Sequence, residues 1–143
     1  MHYFYNTLLL FSVTFSEMSY QPVKFILFFF TTVVSQPILE EILFRGILQE
    51  KLSRVSFWLS IIVTSVIFSY IHGNDTILNT QFISSLIYGM AYQTSKDLRF
   101  PIINHSLQNL IVLLTVVLLK YVVRINKNNW DNYSNEKILT MTK

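Results

Sequence analysis

The feature that most constrains this chain is a set of long stretches that contain no Asp, Glu, Lys or Arg. Three of them run from Val55 to Asn74, from Thr76 to Ser95 and from Phe100 to Leu119. Each has about twenty residues, which is the length that an α-helix needs to cross roughly 30 Å of hydrocarbon. Charged residues make up only 13% of the chain, against about a quarter in an average soluble protein. The sequence therefore predicts a protein embedded in a membrane.

The predicted fold is all-α, a polytopic transmembrane helix bundle with four clear spans. A lone strand in lipid would leave its backbone groups unpaired, so the β-branched runs do not indicate a sheet. The spans are expected at about Val23 to Leu52 with a kink at Pro37, Val55 to His72, Asp75 or Thr76 to Ser95, and Ile102 to Val123 with Pro101 in its first turn. This pattern predicts a multi-pass integral protein of the cell membrane.

The two ends of the chain differ from this core. Tyr3 to Phe15 is apolar but short for a span unless it continues through Glu17 toward Tyr20, so it is either a fifth, N-terminal hydrophobic helix or a helix lying at the membrane surface. From Arg124 onward Asn, Lys, Asp and Ser prevail. Residues 1–123 are therefore expected to form the membrane-embedded bundle. Residues 124–143 are expected to form a polar, flexible tail, with Trp130 and Tyr133 at the interface.

Composition removes several classes of function. The chain has no cysteine, which excludes disulfides, thiolate metal sites and a cysteine nucleophile. Its formal net charge of +3 lies in loops and the tail. Such a small positive charge suits anionic membrane lipid rather than nucleic acid as a partner.

The first predicted span breaks the rule that charges avoid the membrane. Glu40, Glu41 and Arg45 lie within it, and each buried charge costs on the order of 2.5 to 3.5 kcal/mol unless pairing or function compensates. Glu41 and Arg45 are four residues apart, so they share a helix face and can pair. Glu40 is rotated by about 100° from Glu41 and needs another partner.

Further polar groups lie in or at the ends of the other apolar helices. His72 ends the second predicted span, and the fourth carries His105 and Asn109 one turn apart on one face. Together with Glu40 they supply a base for water and donors for a developing oxyanion, the requirements of a hydrolytic site. Taken singly, each has a plainer interpretation: a surface ion pair, a helix-end histidine or polar contacts between helices.

Three motifs in order resemble one known family. The motifs are Pro37-Ile-Leu-Glu40-Glu41-Ile-Leu-Phe-Arg45-Gly46, Phe68-Ser-Tyr-Ile-His72 and His105-Ser-Leu-Gln-Asn109. They are similar to the EExxxR, FxxxH and HxxxN signatures of the CAAX-protease and bacteriocin-processing (CPBP, or Abi) family of intramembrane endopeptidases. The resemblance covers a motif core of about residues 36–112.

The resemblance implies a role for each matched residue. Glu40 would be the general base, and His72 its partner in activating water. His105 and Asn109 would form the oxyanion hole. Glu41 and Arg45 would orient the motif. There is no HExxH motif, but a divalent metal such as zinc, held by Glu40, His72 and His105, stays open on ligand type alone.

The helical rise predicts that the site residues lie at different depths in the membrane. With the turn near Arg54 at one membrane face, Glu40 and His72 would lie roughly 21 and 27 Å from it. His105 follows the charged connector 96–99 by a few residues and would lie nearer that face. Tilted helices, or a connector that dips into the bundle, would be needed to bring His105 to the others.

Two functions follow as expectations. The first is an intramembrane endopeptidase that cuts a membrane-associated peptide or protein, such as a bacteriocin or pheromone precursor, with water activated by Glu40 and His72. The alternative is a non-proteolytic bacteriocin self-immunity protein or membrane scaffold of the same family. A proton-linked transporter is disfavoured because the chain has no internal repeat.

Overall fold

The structure, a computed structural model, describes residues 22–72 and 80–141, and this part of the chain is helical with no strand. Helix α1 is Pro22–Ser53, and α2 is Phe57–Ile71, α3 is Thr80–Ser95 and α4 is Arg99–Met141. The all-α prediction is confirmed. The expected N-terminal helix, the turn after His72 and the start of the third helix at Asp75 or Thr76 lie outside the described residues.

Helix α1 changes its hydrogen-bond register around Pro37. Thr31–Ser35 is π-helical, and the N–H of Gln36 donates to the Thr31 carbonyl, five residues back. Such a widened turn accommodates a proline, which has no N–H and crowds the preceding turn. A second π-helical stretch, Ile42–Gln49, turns Phe44, Arg45 and Gln49 toward the interior.

Helix α2 has defined ends close to those predicted. The Ser56 side chain accepts a hydrogen bond from the Leu59 N–H at 3.4 Å, as an N-cap residue does. At the other end, the backbone N–H of His72 donates to the Phe68 carbonyl at 3.3 Å. This hydrogen bond fixes the backbone of His72 directly after the last turn of α2.

The connector between α3 and α4 is held by local polar contacts. Lys96 adopts a left-handed φ of 56°, and its N–H donates to the Tyr92 carbonyl at 2.7 Å, an arrangement that ends many helices. Its Nζ pairs with Glu50 of α1 at 3.0 Å. A side-chain hydrogen bond from Arg99 lowers the pKa of Asp97.

Side-chain contacts give the helix directions. The start of α2 directly follows the end of α1, whereas Phe68, near the other end of α2, packs edge-on against Phe44, which lies earlier in α1. Helices α1 and α2 therefore run antiparallel. Val33 of α1 packs beside Leu113 of α4, while α4 starts near the later part of α1, so these two are antiparallel as well. Helix α3 runs parallel to α1, with contacts that join Arg45 to Ser85 and Gln49 to Gly89.

The polarity of the molecule is that of a membrane protein. Its interior contains fully buried charged and amide side chains, including Glu41, Arg45 and Gln49. Its exterior presents large apolar side chains, for example Leu39, which is 67% exposed. A soluble protein has the opposite distribution, whereas helices in lipid turn polar groups toward each other.

Within the described ranges, two helices are long and apolar enough to cross a membrane: Pro22–Ser53 and Arg99–Trp130. Helices α2 and α3 have 15 and 16 residues, which cover roughly 22 to 24 Å. The prediction of four spans is therefore not confirmed. The predicted end of the last helix near Val123 is wrong, because α4 continues to Met141.

Candidate functional site

Three helices bring five of the six predicted site residues together. Helix α1 supplies Glu40, Glu41 and Arg45, His72 directly follows α2, and His105 lies in the second turn of α4. The Oε2 atom of Glu40 lies 3.7 Å from Nε2 of His72 and 3.8 Å from Nε2 of His105. One carboxylate oxygen thus faces two imidazoles from two other helices.

The connector before α4 explains how His105 reaches this depth. A Cβ atom placed on Gly46 would lie 3.3 Å from a methyl group of Leu98. The connector therefore contacts α1 about eight residues before Arg54. By helical rise, His105 lies about 10 Å beyond Leu98, and Glu41 lies about 8 Å from Gly46 along α1. His105 and Glu41 therefore lie at similar distances from this contact along their helices.

Glu41 and Arg45 form a buried ion pair that also holds His105. Both side chains are fully buried, and Arg45 Nε lies 3.1 Å from Glu41 Oε2, although its N–H is not aligned for a hydrogen bond. The other oxygen of Glu41 lies 3.0 Å from Nδ1 of His105. Arg45 Nη2 also donates to the carbonyl and hydroxyl oxygens of Ser85, at 3.1 and 2.9 Å. The two oxygens of Glu41 are therefore directed at Arg45 and His105.

The hydrogen bonds of the two histidines define their neutral tautomers. Nδ1 of His72 lies 2.7 Å from the Phe68 carbonyl oxygen, which can only accept, so Nδ1 carries the proton. Nδ1 of His105 likewise donates to the Glu41 carboxylate. In its neutral form each ring therefore turns an unprotonated Nε2 toward Glu40.

Aromatic rings fix the planes of both imidazoles. Phe68 stacks on His72, with centroids 4.2 Å apart and planes at 27°. Tyr88 stacks on His105, with centroids 5.0 Å apart and planes at 19°. The Arg45 guanidinium carbon lies 5.5 and 5.8 Å from the Phe68 and Tyr88 ring centroids. One buried cation thus contacts both rings on which the histidines stack.

The two oxygens of Glu40 have different surroundings. Oε1 accepts a hydrogen bond from Gln36 Nε2 at 2.8 Å, one turn earlier in α1. Oε2 is buried and makes no hydrogen bond to any residue that the structure describes. A buried carboxylate oxygen without a donor is costly, so this atom is suited to take a proton from a small molecule beside it.

Asn109 is not drawn into this cluster. Its Nδ2 donates to the Thr32 carbonyl of α1 at 2.9 Å. In the five-residue register that joins Gln36 to Thr31, the donor to Thr32 would be residue 37, which is a proline and has no N–H. Asn109 therefore satisfies the carbonyl that Pro37 leaves without a backbone donor.

A metal centre is not supported by the geometry. Over residues 22–72 and 80–141, no group of three His, Cys, Asp or Glu side chains is arranged to hold a metal ion. This includes Glu40, His72 and His105, the set that the sequence left open for zinc.

Sequence reasoning missed several residues that shape the site. Gln36 lies one turn before Glu40, and this spacing could have identified it. Ser85, which binds Arg45, and Tyr88, which stacks on His105, carry no local signal. Their importance depends on the packing of α3 against α1 and α4, which cannot be read from α3 alone.

Comparisons with known proteins identify the family of the chain. Residues 22–111 match the family described as "Type II CAAX prenyl endopeptidase Rce1-like". The chain is 32% identical over 96 residues to "Membrane-embedded CAAX protease MroQ" of Staphylococcus aureus (strain USA300). That alignment covers 62% of this chain and 38% of the relative, so the chain spans well under half of the relative's length. No solved structure matches the chain.

Proposed function

Because the chain belongs to the Rce1-like family of type II CAAX prenyl endopeptidases, we propose that it is an intramembrane endopeptidase. Its reaction is the hydrolysis of a peptide bond in a membrane-associated peptide or protein. The observation that carries the proposal is the convergence of Glu40 with two imidazoles, at 3.7 Å from His72 and 3.8 Å from His105. A water molecule within hydrogen-bond distance of Glu40 Oε2 and of an imidazole nitrogen would bridge groups that lie this far apart.

Glu40 and His72 act together on that water. The water donates one hydrogen bond to Glu40 Oε2 and the other to the unprotonated Nε2 of His72, which directs its lone pairs at the scissile carbonyl carbon. As the new C–O bond forms, one water proton moves to Glu40. Gln36 holds the other carboxylate oxygen at 2.8 Å, so the reactive oxygen is kept in place.

His105 stabilises the oxyanion of the tetrahedral intermediate. Its Nδ1 proton is engaged by Glu41 at 3.0 Å, so only the imidazolium form donates from Nε2. The resulting positive charge lies beside the Glu41 carboxylate. When the C–N bond breaks, the proton held by Glu40 passes to the leaving amine nitrogen. The products are a carboxyl group and a free amine.

Asn109 contributes indirectly to this mechanism. Its amide is bound to the Thr32 carbonyl at 2.9 Å and braces α1 at the turn before Pro37. A second oxyanion donor from Asn109, the role that the family resemblance implies, would require that bond to break.

The substrate is a peptide that reaches the bundle through the membrane. A prenylated peptide is the one that the family description names, and the prenyl group would hold it in the lipid. The polar interior enclosed by apolar helix surfaces suits a substrate whose scissile bond enters from the bilayer.

A matched pair of glutamate substitutions tests the proposal. Glu40→Gln keeps the side-chain shape and removes the base. Glu50→Gln makes the same change near the end of α1, where Glu50 pairs with Lys96 at the surface. The assay uses the protein in lipid nanodiscs with an internally quenched peptide, with and without a C-terminal farnesylated CAAX sequence. We expect Glu40→Gln to lower kcat by about 10²-fold or more and Glu50→Gln to change it less than about threefold.

The alternative function makes the opposite prediction. A self-immunity protein or scaffold of the same family would bind a partner without cleavage. In cells that express the chain, its protective or scaffolding phenotype would then survive Glu40→Gln. Equal activity of Glu40→Gln and the wild type would overturn the endopeptidase proposal.

A further inference from the structure

Tyr88 lies in the interior of α3, away from all three motifs that indicate the site. Its side chain is 3% exposed. One face of its ring stacks on His105, with centroids 5.0 Å apart and planes at 19°, and its hydroxyl donates to Oε1 of Gln108 in α4. Tyr88 thus joins α3 to the turn of α4 that carries His105.

The imidazole of His105 has two kinds of freedom that the site must remove. A half-turn about its last side-chain bond would exchange Nδ1 with a carbon atom, and the hydrogen bond to Glu41 opposes this exchange. A smaller rotation would tilt the ring plane and swing Nε2 away from Glu40 while keeping the bond to Glu41. A single hydrogen bond to Glu41 fixes the position of Nδ1 but not the plane of the ring, so it does not prevent the tilt.

Stacking on Tyr88 prevents that tilt. A ring held nearly parallel at 5.0 Å cannot rotate without clashing with the plane of its neighbour. The Phe68 ring, with its centroid 5.9 Å from that of His105 and the planes at 72°, bounds the imidazole on another side. Arg45 lies 5.8 Å from the Tyr88 centroid and keeps that ring in place.

We propose that Tyr88 is a positioning residue whose aromatic ring sets the plane of His105 and so aims Nε2 at the reaction centre. The plane of His105 is set by the ring of Tyr88 and not by the hydrogen bond from the Tyr88 hydroxyl to Gln108. The kinetic consequence rests on the proposed endopeptidase function, whereas the orientation of His105 can be measured without any substrate.

The experiment compares four variants of the full chain in lipid nanodiscs. Tyr88→Phe keeps the ring and removes the hydroxyl. Tyr88→Leu and Tyr88→Met remove the ring, and Met also keeps the interior filled. Tyr92→Leu is the control, because Tyr92 is another buried tyrosine of α3, one turn away, that bonds to Glu50 instead of a histidine.

The first readout is the NMR spectrum of the histidine rings. The chain has three histidines, so specific labelling gives three ring signals, and the loss of one in His105→Gln identifies that of His105. We expect its ring protons to be shifted upfield by the Tyr88 ring in the wild type, in Tyr88→Phe and in Tyr92→Leu. The upfield shift should be lost in Tyr88→Leu and Tyr88→Met.

The second readout is kinetic. We expect Tyr88→Leu and Tyr88→Met to lower kcat by about 10- to 100-fold with KM changed less than about threefold, because misplaced groups slow chemistry more than they weaken binding. Tyr88→Phe should restore kcat to within about threefold of the wild type. A role in packing alone would instead make Tyr92→Leu as slow as Tyr88→Leu.

Several results would overturn the proposal. One is a His105 signal that keeps its upfield shift when the ring of Tyr88 is removed. Another is a Tyr88→Phe variant as impaired as Tyr88→Leu, which would assign the effect to the hydroxyl. If the wild type cleaves no peptide, the endopeptidase proposal fails while the NMR comparison still decides the role of Tyr88. If Tyr88→Leu does not fold, Tyr88→Met carries the same two expectations.

Discussion

Neighbouring glutamates in α1 have opposite environments. Glu41 is fully buried and pairs with Arg45 and His105. The side chain of Glu40 is 20% exposed, and its Oε2 faces two imidazoles. Consecutive residues of a helix point about 100° apart, so one turns to the interior and the other to the edge of the bundle. The same residue type is therefore held in a buried ion pair at one position and partly exposed beside two imidazoles at the next.

This difference predicts that the same substitution lowers stability at Glu41 and activity at Glu40. Glu41→Gln can still accept the hydrogen bond from His105, but it leaves the Arg45 charge buried without a counter-ion. We expect it to lower the free energy of unfolding by about 3 to 5 kcal/mol, as removal of one partner from a buried ion pair does. The measurement is a denaturant titration of the protein in detergent micelles.

Glu40→Gln is the matched control for that titration. It should change the free energy of unfolding by less than about 1 kcal/mol, while it removes activity. A Glu41→Gln variant as stable as the wild type would mean that Arg45 is neutralised by another group.

At the scale of single residues, the sequence predicted the centre of the site but not its surroundings. Glu40, Glu41, Arg45, His72 and His105 lie in motifs whose spacing on a helix already limits where they point. Asn109 differs because its partner depends on the register change before Pro37. Tyr88 could not be predicted, since its contact with His105 requires the relative rotation of α3 and α4.

At the scale of elements, α1 and α3 meet along a close polar seam. Gln49 Nε2 donates to the Gly89 carbonyl at 2.8 Å, four residues after the contact of Arg45 with Ser85. A Cβ atom on Gly89 would lie 3.1 Å from Gln49 Oε1 and 3.2 Å from Ile61. The absence of a side chain at Gly89 lets the two backbones approach, as small residues do between membrane helices.

Substitutions at Gly46 and Gly89 provide a test of this seam. Gly89→Ala should overpack Gln49 and Ile61 and lower stability by about 1 to 3 kcal/mol. Gly46→Ala meets only a methyl group of Leu98, at 3.3 Å, which can shift, and it gains up to about 1 kcal/mol of helix propensity. We expect the Tm of Gly89→Ala to fall below that of Gly46→Ala. Equal Tm values would show that the seam has room for a side chain.

The elements themselves were predicted unevenly, for physical reasons. The charge-free run that begins at Val55 located α2 to within about two residues. The predicted end of α4 near Val123 is wrong because the polar composition that begins after Arg124 does not end the helix. Asn, Lys and Asp are compatible with a helix in water, so polarity alone marks the end of the membrane and not the end of the helix.

At the scale of the whole molecule, the length of α4 determines where Trp130 lies relative to the membrane. Its 43 residues give about 64 Å of helix, roughly twice the thickness of the hydrocarbon core. With Arg99 and Lys120 at the two edges of the hydrocarbon, a straight helix carries Trp130 about 15 Å beyond Lys120. The headgroup layer adds about 5 to 8 Å on each side. Trp130 would then lie in water and not at the interface that its residue type indicated.

The chain's two tryptophans allow a direct test of this geometry. Trp58 is 60% exposed and lies at the start of α2, four residues after Arg54, whereas Trp130 is 70% exposed and lies in the last third of α4. Trp58→Phe and Trp130→Phe each leave one emitter, so each variant is the control for the other. In nanodiscs with brominated acyl chains, we expect strong quenching of Trp58 and little of Trp130, and acrylamide should quench Trp130 more. Strong quenching of Trp130 by the brominated lipid would instead mean that α4 bends after Lys120 and lies along the membrane surface.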